Sequence, residues 1–271
     1  MNYVCEKDKC CGCSACVSAC PKNCITIEDG VSVLNAVKDL NKCINCGLCS
    51  KVCQVNENKL LEYKSPIKTL EGYSLSDDLF QNSTSGGFAT TLAIEFIKNG
   101  GYVIGVNANN GKPRFEITND ATYVKKFAGS KYVKVDIGDI YSCVKQHLNE
   151  NKVLFFGTPC QVGGLKLYLK RDYNNLYCVE LICHGTPSYK VLDKYLNENN
   201  MNNYSEIRFR YNNKYIISID KKPMNKELVL DDYSIGFLNS LYLTNNCYYC
   251  QYAKKQKNSR YNNRRFMGNF K

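Results

Sequence analysis

Residues 10–21 read Cys10-Cys11-Gly12-Cys13-Ser14-Ala15-Cys16-Val17-Ser18-Ala19-Cys20-Pro21. Cys10, Cys13, Cys16 and Cys20 follow an x2, x2, x3 spacing, which returns 33 residues later as Cys43, Cys46, Cys49 and Cys53. Two-residue spacers let one tight loop offer three thiolates to the corners of an iron–sulfur cubane, while the fourth arrives from elsewhere. Gly12 and Gly47 fall inside these loops, where backbone must pass close to sulfide. Zinc is the competing reading for clustered cysteines, but a zinc site takes four ligands and has no use for eight in duplicated order. Pro21 closes the first run, and Gln54 stands at the matching place in the second.

The doubled run resembles the bacterial two-cluster ferredoxins, in which the last Cys of each run serves the other cluster. That resemblance assigns Cys10, Cys13, Cys16 and Cys53 to cluster I, and Cys43, Cys46, Cys49 and Cys20 to cluster II. Residues 1–60 are therefore expected to form a two-cluster 4Fe-4S ferredoxin-like domain. Cys5, Cys11 and Cys24 fall outside the spacing and read as packing thiols.

Outward from this segment, the chain has 271 residues with 17 Cys, two His and no Trp. That length suits one large domain or two modest ones. No apolar run approaches a membrane span, and residues 1–6 show neither the basic nor the apolar part of a signal peptide. A cytoplasmic location is expected, and there so many cysteines point to metal rather than disulfides. The formal net charge is +11, but residues 252–271 hold seven Lys/Arg and no Asp or Glu. The basic excess belongs largely to this tail, so no nucleic-acid partner is expected.

Residues 61–67 are polar and end near Ser65-Pro66, a linker composition. Beyond them, apolar periodicity predicts strands at 69–75, 102–106, 114–118, 153–156 and 176–182, with a short extended piece at 133–135. It predicts helices at 88–98, 139–148, 162–169 and 189–196, and an antiparallel pair at 204–210 and 214–219. The expected fold class is α+β: the ferredoxin-like domain followed by a mixed α/β domain over 68–257, in parts 68–150 and 151–257. Cys143 and Cys178 read as core residues, and His147 as solvated.

Small polar loops sit where strands meet helices. Helix N-termini carry unpaired N–H groups that suit phosphate, though ordinary capping explains any single such loop. No G-x-G-x-x-G or Walker pattern is present. The residues alone support an iron–sulfur protein with a nucleotide or flavin site.

The motifs Gly129-Ser130-Lys131-Tyr132, Gly157-Thr158-Pro159-Cys160-Gln161 and Ile182-Cys183-His184-Gly185-Thr186-Pro187-Ser188 resemble the coenzyme F420 hydrogenase/dehydrogenase beta subunit family. Ser85-Gly86-Gly87 and Asn246-Cys247-Tyr248-Tyr249-Cys250 extend that resemblance. It implies a bound FAD that passes a hydride onward as single electrons to the clusters, or the reverse. The flavin would lie at Ser85, Gly86, Gly87, Gly129, Ser130, Lys131, Thr158, Pro159, Cys160 and Gln161, with Lys131 giving charge to phosphate. His184 reads either as a proton donor at the catalytic site or as a loop-fixing residue. Cys160, Cys183, Cys247 and Cys250 form a second cysteine group able to hold a third cluster. The expected partner is a redox protein or a small-molecule hydride donor. The other reading is an electron-transfer module with no substrate chemistry of its own, serving a separate enzyme such as one of polysaccharide biosynthesis.

In the resembled family the segment after the Cys247-x2-Cys250 region runs like Asp-Ile-Thr-Ile-Gly-Asp-Leu-Trp-Gly-Ile. Here residues 260–271 run from Arg260 through Arg264-Arg265-Phe266-Met267-Gly268 to Lys271. A reading frame displaced by one base converts one allowed coding of this stretch into the family segment, and Met267 before Gly268 then forces Trp. Residues 258–271 are accordingly expected to be an aberrant basic tail produced by a frameshift, with the family's C-terminal part missing and this chain either active or an inactive truncated form.

Overall fold

A computed structural model describes residues 2–56, 66–201, 203–225 and 227–253. In the first segment two short helices, α1 (Ala15–Ser18) and α2 (Leu48–Lys51), flank a hairpin of β1 (Ile25–Asp29) and β2 (Leu34–Lys38). Each helix follows its cysteine loop at the same offset. The duplication extends to the backbone. Gly12 and Ser14 have φ of 60° and 59°, and Asn45 and Gly47, at the equivalent offsets, have φ of 53° and 71°. Alternation with left-handed residues turns successive N–H groups inward, a concavity that suits an anionic cluster.

Helices α3 (Asp77–Gln81) and α4 (Phe88–Lys98) come next, then strands β3 (Gly101–Asn107) and β4 (Arg114–Thr118) and a 3-10 turn over Tyr123–Phe127. Helix α5 (Ile140–His147), β5 (Lys152–Gly157), α6 (Pro159–Leu169), β6 (Leu176–Glu180) and α7 (Tyr189–Glu198) follow. The central sheet has the order β4-β3-β5-β6, parallel except for antiparallel β4 at one edge. Side-chain alternation divides its core. Val103 and Leu154 face Ala93 of α4 and Val124 of the 3-10 turn. Ile104, Val153 and Phe155 join Tyr141, Val144 and Leu165 on α5 and α6. That second core runs without a break into the cysteine-rich segment through Cys13, Ala15 and Cys16.

A small antiparallel sheet follows, of β7 (Ile207–Arg208), β8 (Ser218–Ile219) and β9 (Lys222–Pro223), and then α8 (Asp232–Leu238) and α9 (Asn245–Tyr248). The mixed α/β architecture is the expected one, and helix α4 and strand β4 have the expected bounds.

Four expectations are corrected. Residues 69–75 form no strand, and Leu70 and Leu75 are exposed, because no ladder partner receives them. Val133 and Val135 are buried, but in irregular backbone. Strand β6 stops at Glu180, leaving Leu181 and Ile182 exposed. Cys143 and Cys178 are half-buried rather than core residues. Residues 61–65 of the expected linker and all of 258–271 lie outside the described residues.

Candidate functional site

The two runs exchange their last cysteines in space. Cys53 closes on Cys10 and Cys16 of the first run. Cys20 lies with Cys24, which also meets Cys43, and acts on Cys49. Cys5, expected as a packing thiol, stands between Cys10 and Cys53, within reach of either for its single S–H. Donation to either lowers that partner, the Cys10 thiol to about 7 or the Cys53 thiol to about 6, against the cost of burial. Among the described residues no three His, Cys, Asp or Glu side chains converge tightly enough to hold a single ion. A cubane keeps its four thiolates much farther apart than one ion does, so these runs fit a cluster and not a lone metal. The left-handed loop residues are a second feature that fits it.

The later cysteine group gathers at the seam between the two halves. Cys183 and Cys250 each come within electrostatic reach of both Cys160, at the start of α6, and Cys247. Cys11, again expected only to pack, lies between Cys13 and Cys160, within reach of either for its single S–H. With the Lys134 ammonium alongside, that donation holds the Cys160 thiol well below its usual range despite burial. Burial opposes the charge on Lys134, but Cys160, Cys11, Cys247 and Cys13 more than offset it and keep the ammonium charged. Lys134 Nζ donates to the Cys11 carbonyl, and its backbone N–H donates to Pro187 at 2.8 Å. Burial and Cys160 push the Cys183 thiol up to about 12. Asn246 Oδ1 is buried beside Cys247 without a partner. Four thiols, one cation and one orphaned acceptor make a donor set that fits a further thiolate-bound centre.

Gln54, which replaces the proline of the first run, locks the seam. Its Nε2 donates to the Cys160 carbonyl at 3.0 Å, and its Oε1 accepts from Tyr252 Oη at 2.7 Å. Gly164 of α6 lets Cys13 approach: a Cβ there would lie 2.9 Å from Cys13 Cβ and 3.0 Å from its Sγ. Asp29 accepts from Ser188 Oγ and, through its carbonyl, from Lys190 Nζ, and Asn245 N donates to the Ser32 carbonyl.

The three loops expected at the flavin separate into two places. The Ser130 N–H donates to Thr84 Oγ1 at 2.9 Å, so the Gly129-Ser130-Lys131 loop meets the one that leads into Ser85, Gly86 and Gly87. Their junction forms a cavity of about 110 Å³, whose other wall carries Arg208 and Arg210. Ser85, Gly86 and Gly87 do not line it, Gly86 lying against Tyr73 and Gly87 against Ser74 and Leu79, and neither do Thr158, Pro159, Cys160 and Gln161. Gln161 Oε1 instead accepts from Thr158 N and Oγ1 to cap α6, and Cys160 belongs to the seam. The larger hollow, about 500 Å³, is lined by Glu116, Asp120 and Asp139 and suits no phosphate. His184 is exposed; its Nε2 pairs with Ser240 Oγ at 2.9 Å and its ring meets Phe237, away from both hollows.

Residues 9–57 match the 4Fe-4S dicluster domain. Residues 150–257 match the family described as the C terminus of the coenzyme F420 hydrogenase/dehydrogenase beta subunit. The chain thus carries one segment that matches a 4Fe-4S dicluster domain and a second that matches the C terminus of the F420 hydrogenase/dehydrogenase beta subunit. Among solved structures it is similar to a chain of the F420-reducing NiFe hydrogenase complex from Methanosarcina barkeri, a xenon derivative. That likeness has 21% identity and a TM-score of 0.42, and covers 55% of this chain and 56% of the other. The chain thus spans about half the length of that hydrogenase chain. No curated protein matches.

The dicluster domain and the beta-subunit domain therefore meet at the Cys11–Cys160 contact and the Gln54 bridge. For a flavin, the observation that fits is the lining of the arginine cavity, where Lys131, Arg208 and Arg210 stand with no carboxylate among them. Arg208, Arg210 and Ser83 escaped the sequence reading because no motif marks them; only the alternation of buried Ile207 and Phe209 with Arg208 and Arg210 hinted at a polar face. Among the described residues no helix is long and apolar enough to cross a membrane.

Proposed function

We propose that this chain is an iron–sulfur flavoprotein oxidoreductase that moves electrons between a hydride donor or acceptor, of the F420 type or another, and two 4Fe-4S clusters. The observation that carries this reading is the seam, where Cys11 joins the Cys13 side of the first run to Cys160 of the beta-subunit domain. Flavin, when bound, exchanges hydride on one side and single electrons on the other, and a cubane carries electrons one at a time.

The chain's own residues do the rest. Cys10, Cys13, Cys16 and Cys53 hold cluster I on the inner side, and Cys43, Cys46, Cys49 and Cys20 hold cluster II on the outer side. Cys5 donates to a thiolate of cluster I and so eases the charge collected there. Cys160, Cys183, Cys247 and Cys250 hold a third centre, with Lys134 balancing their charge. Gln54 and Gly164 keep the two halves in contact. The phosphate part of FAD lies in the arginine cavity, between the loops containing Gly129-Ser130-Lys131 and Ser83-Thr84. A separate redox protein meets the exposed face around Cys46.

The reading is tested by anaerobic purification with iron, acid-labile sulfide and flavin determined per chain. Reduction by a deazaflavin or nicotinamide hydride donor is then followed in the visible spectrum. Stoichiometric flavin and bleaching on hydride addition are expected. Clusters without flavin would instead establish the second reading, an electron-transfer module serving a separate enzyme. One observation favours that second reading: neither described hollow is an enclosed apolar slot for a flavin ring.

A further inference from the structure

We infer that the cavity between the Ser83-Thr84 loop, the Gly129-Ser130 loop and β7 is a diphosphate site, in which Arg208 and Arg210, not Lys131, supply the recognising charge. The inference rests on the flavin reading for its favoured ligand, FAD, but the chemistry is that of any nucleotide diphosphate.

Ile207 and Phe209 are buried in the core, so the alternation along the strand turns Arg208 and Arg210 to one common face. Both guanidiniums line the cavity, and both are held before any ligand arrives. Arg208 Nε donates to Glu206 Oε1 at 2.7 Å and its Nη1 to the Asn82 carbonyl at 3.1 Å. Arg210 Nε donates to Tyr132 Oη at 2.8 Å, and its guanidinium lies 3.9 Å from the centre of the Tyr215 ring. A guanidinium has five N–H donors in a planar fork that matches phosphate oxygens, so two pinned forks form a preorganised anion receptor. Lys131, Arg208 and Arg210 are the charged residues of the lining, and no carboxylate is among them.

A volume of about 110 Å³ suits a phosphate or diphosphate group, whereas whole drug-sized ligands occupy about 300–1,000 Å³.

Lys131 is already committed. Its Nζ donates to the Phe127 carbonyl at 2.8 Å and the Ala128 carbonyl at 2.9 Å, bracing the end of the 3-10 turn. Burial, followed by the charge of Arg208, lowers its ammonium to about 7.

The test uses the full chain with its clusters assembled anaerobically. Affinities for FAD, for riboflavin, which has no phosphate, and for inorganic pyrophosphate are measured by titration. FAD affinity is expected to fall roughly ten- to hundredfold in Arg208→Gln and Arg210→Gln, the cost of losing charged hydrogen bonds. Riboflavin affinity should stay level in both, pyrophosphate should compete with FAD, and Lys131→Met should weaken FAD less than either arginine variant. Arg208→Lys and Arg210→Lys, which keep the charge and lose the fork, should fall between, and circular dichroism separates misfolding from lost recognition. If FAD binds the parent chain and both Gln variants alike, the diphosphate site is wrong and the flavin reading stands. If the parent binds neither flavin, the flavin reading fails. Pyrophosphate binding that is lost in Arg210→Gln then keeps the site for another nucleotide, and no pyrophosphate binding overturns it.

Discussion

Cys10, Cys13, Cys16 and Cys53 are between 6% and 9% exposed, whereas Cys46 lies in the open and Cys20, Cys43 and Cys49 are half-buried. The two runs behind these sets have the same spacing, the same left-handed loop positions and the same short helix. What differs is what covers them. Helix α1 packs on α6 and α5, so the first set is enclosed by the beta-subunit domain, while the second set faces outward. Equal motifs thus receive unequal roles: an enclosed site suits transfer within the chain, and an open one suits exchange with another protein. Burial and hydrogen bonds to sulfur are also the means by which a protein sets cluster potentials, so the two sets are expected to differ in potential.

The largest effect that would break this asymmetry is Gly164→Val. Its side chain collides with Cys13 and with Tyr141 Oη, 2.9 Å from where the Cβ would lie. A loss of about 3 kcal/mol is expected from overpacking. Iron should fall by about four per chain as the enclosed cluster is lost. Iron unchanged from the parent in this variant would show that the contact does not hold the site.

Next come Cys20→Ser and Cys53→Ser, which test the exchange of ligands. Cys20→Ser should disturb the cluster of Cys43, Cys46 and Cys49, and Cys53→Ser the cluster of Cys10, Cys13 and Cys16. Electron paramagnetic resonance of the reduced variants distinguishes them, and the opposite pattern would restore each run to its own cluster.

Chelation is a gentler probe. With a ferrous chelator under air, about four iron per chain should leave several-fold faster than the rest, from the exposed set. A single release rate would contradict the difference in burial.

Gln54→Leu should cost about 1 kcal/mol by removing the donor to the Cys160 carbonyl and the acceptor for Tyr252 Oη. Denaturant midpoints would record it, and electron exchange between the two halves should slow while iron content stays the same.

The smallest effect lies outside both runs. The enclosed Lys131 loses its proton near 7 in the folded chain, against about 10.4 when unfolded. Between those values the unfolded state binds more protons, so this residue makes stability rise with pH over that window. Lys131→Met should flatten that part of the midpoint-versus-pH curve, and an unchanged slope would show that Lys131 stays charged.

The reading of the sequence was surest where chemistry is local. Cysteine spacing stands in one loop at a time, so the eight ligand positions and the doubled backbone were visible without a fold. Helix α4 and strand β4 were equally plain, because apolar periodicity is a short-range signal. The reading weakened wherever a residue's role depends on a distant partner. Residues 69–75 alternate like a strand but find no neighbour to pair with. Cys5 and Cys11 looked like spare thiols until other cysteines closed around them.

Composition, cysteine spacing and strand–helix order by themselves determined the doubled cysteine run of a 4Fe-4S dicluster domain and the mixed α/β class. Only the tertiary structure decided which cysteine run is enclosed, that Gln54 replaces a proline to grip Cys160, and that Ser83 shares a cavity with Arg208 and Arg210. The physical reason is one of range. Spacing and periodicity act over a few residues, whereas burial, charge balance and preorganised donors arise from segments more than a hundred residues apart in the chain. No local pattern of residues encodes those meetings.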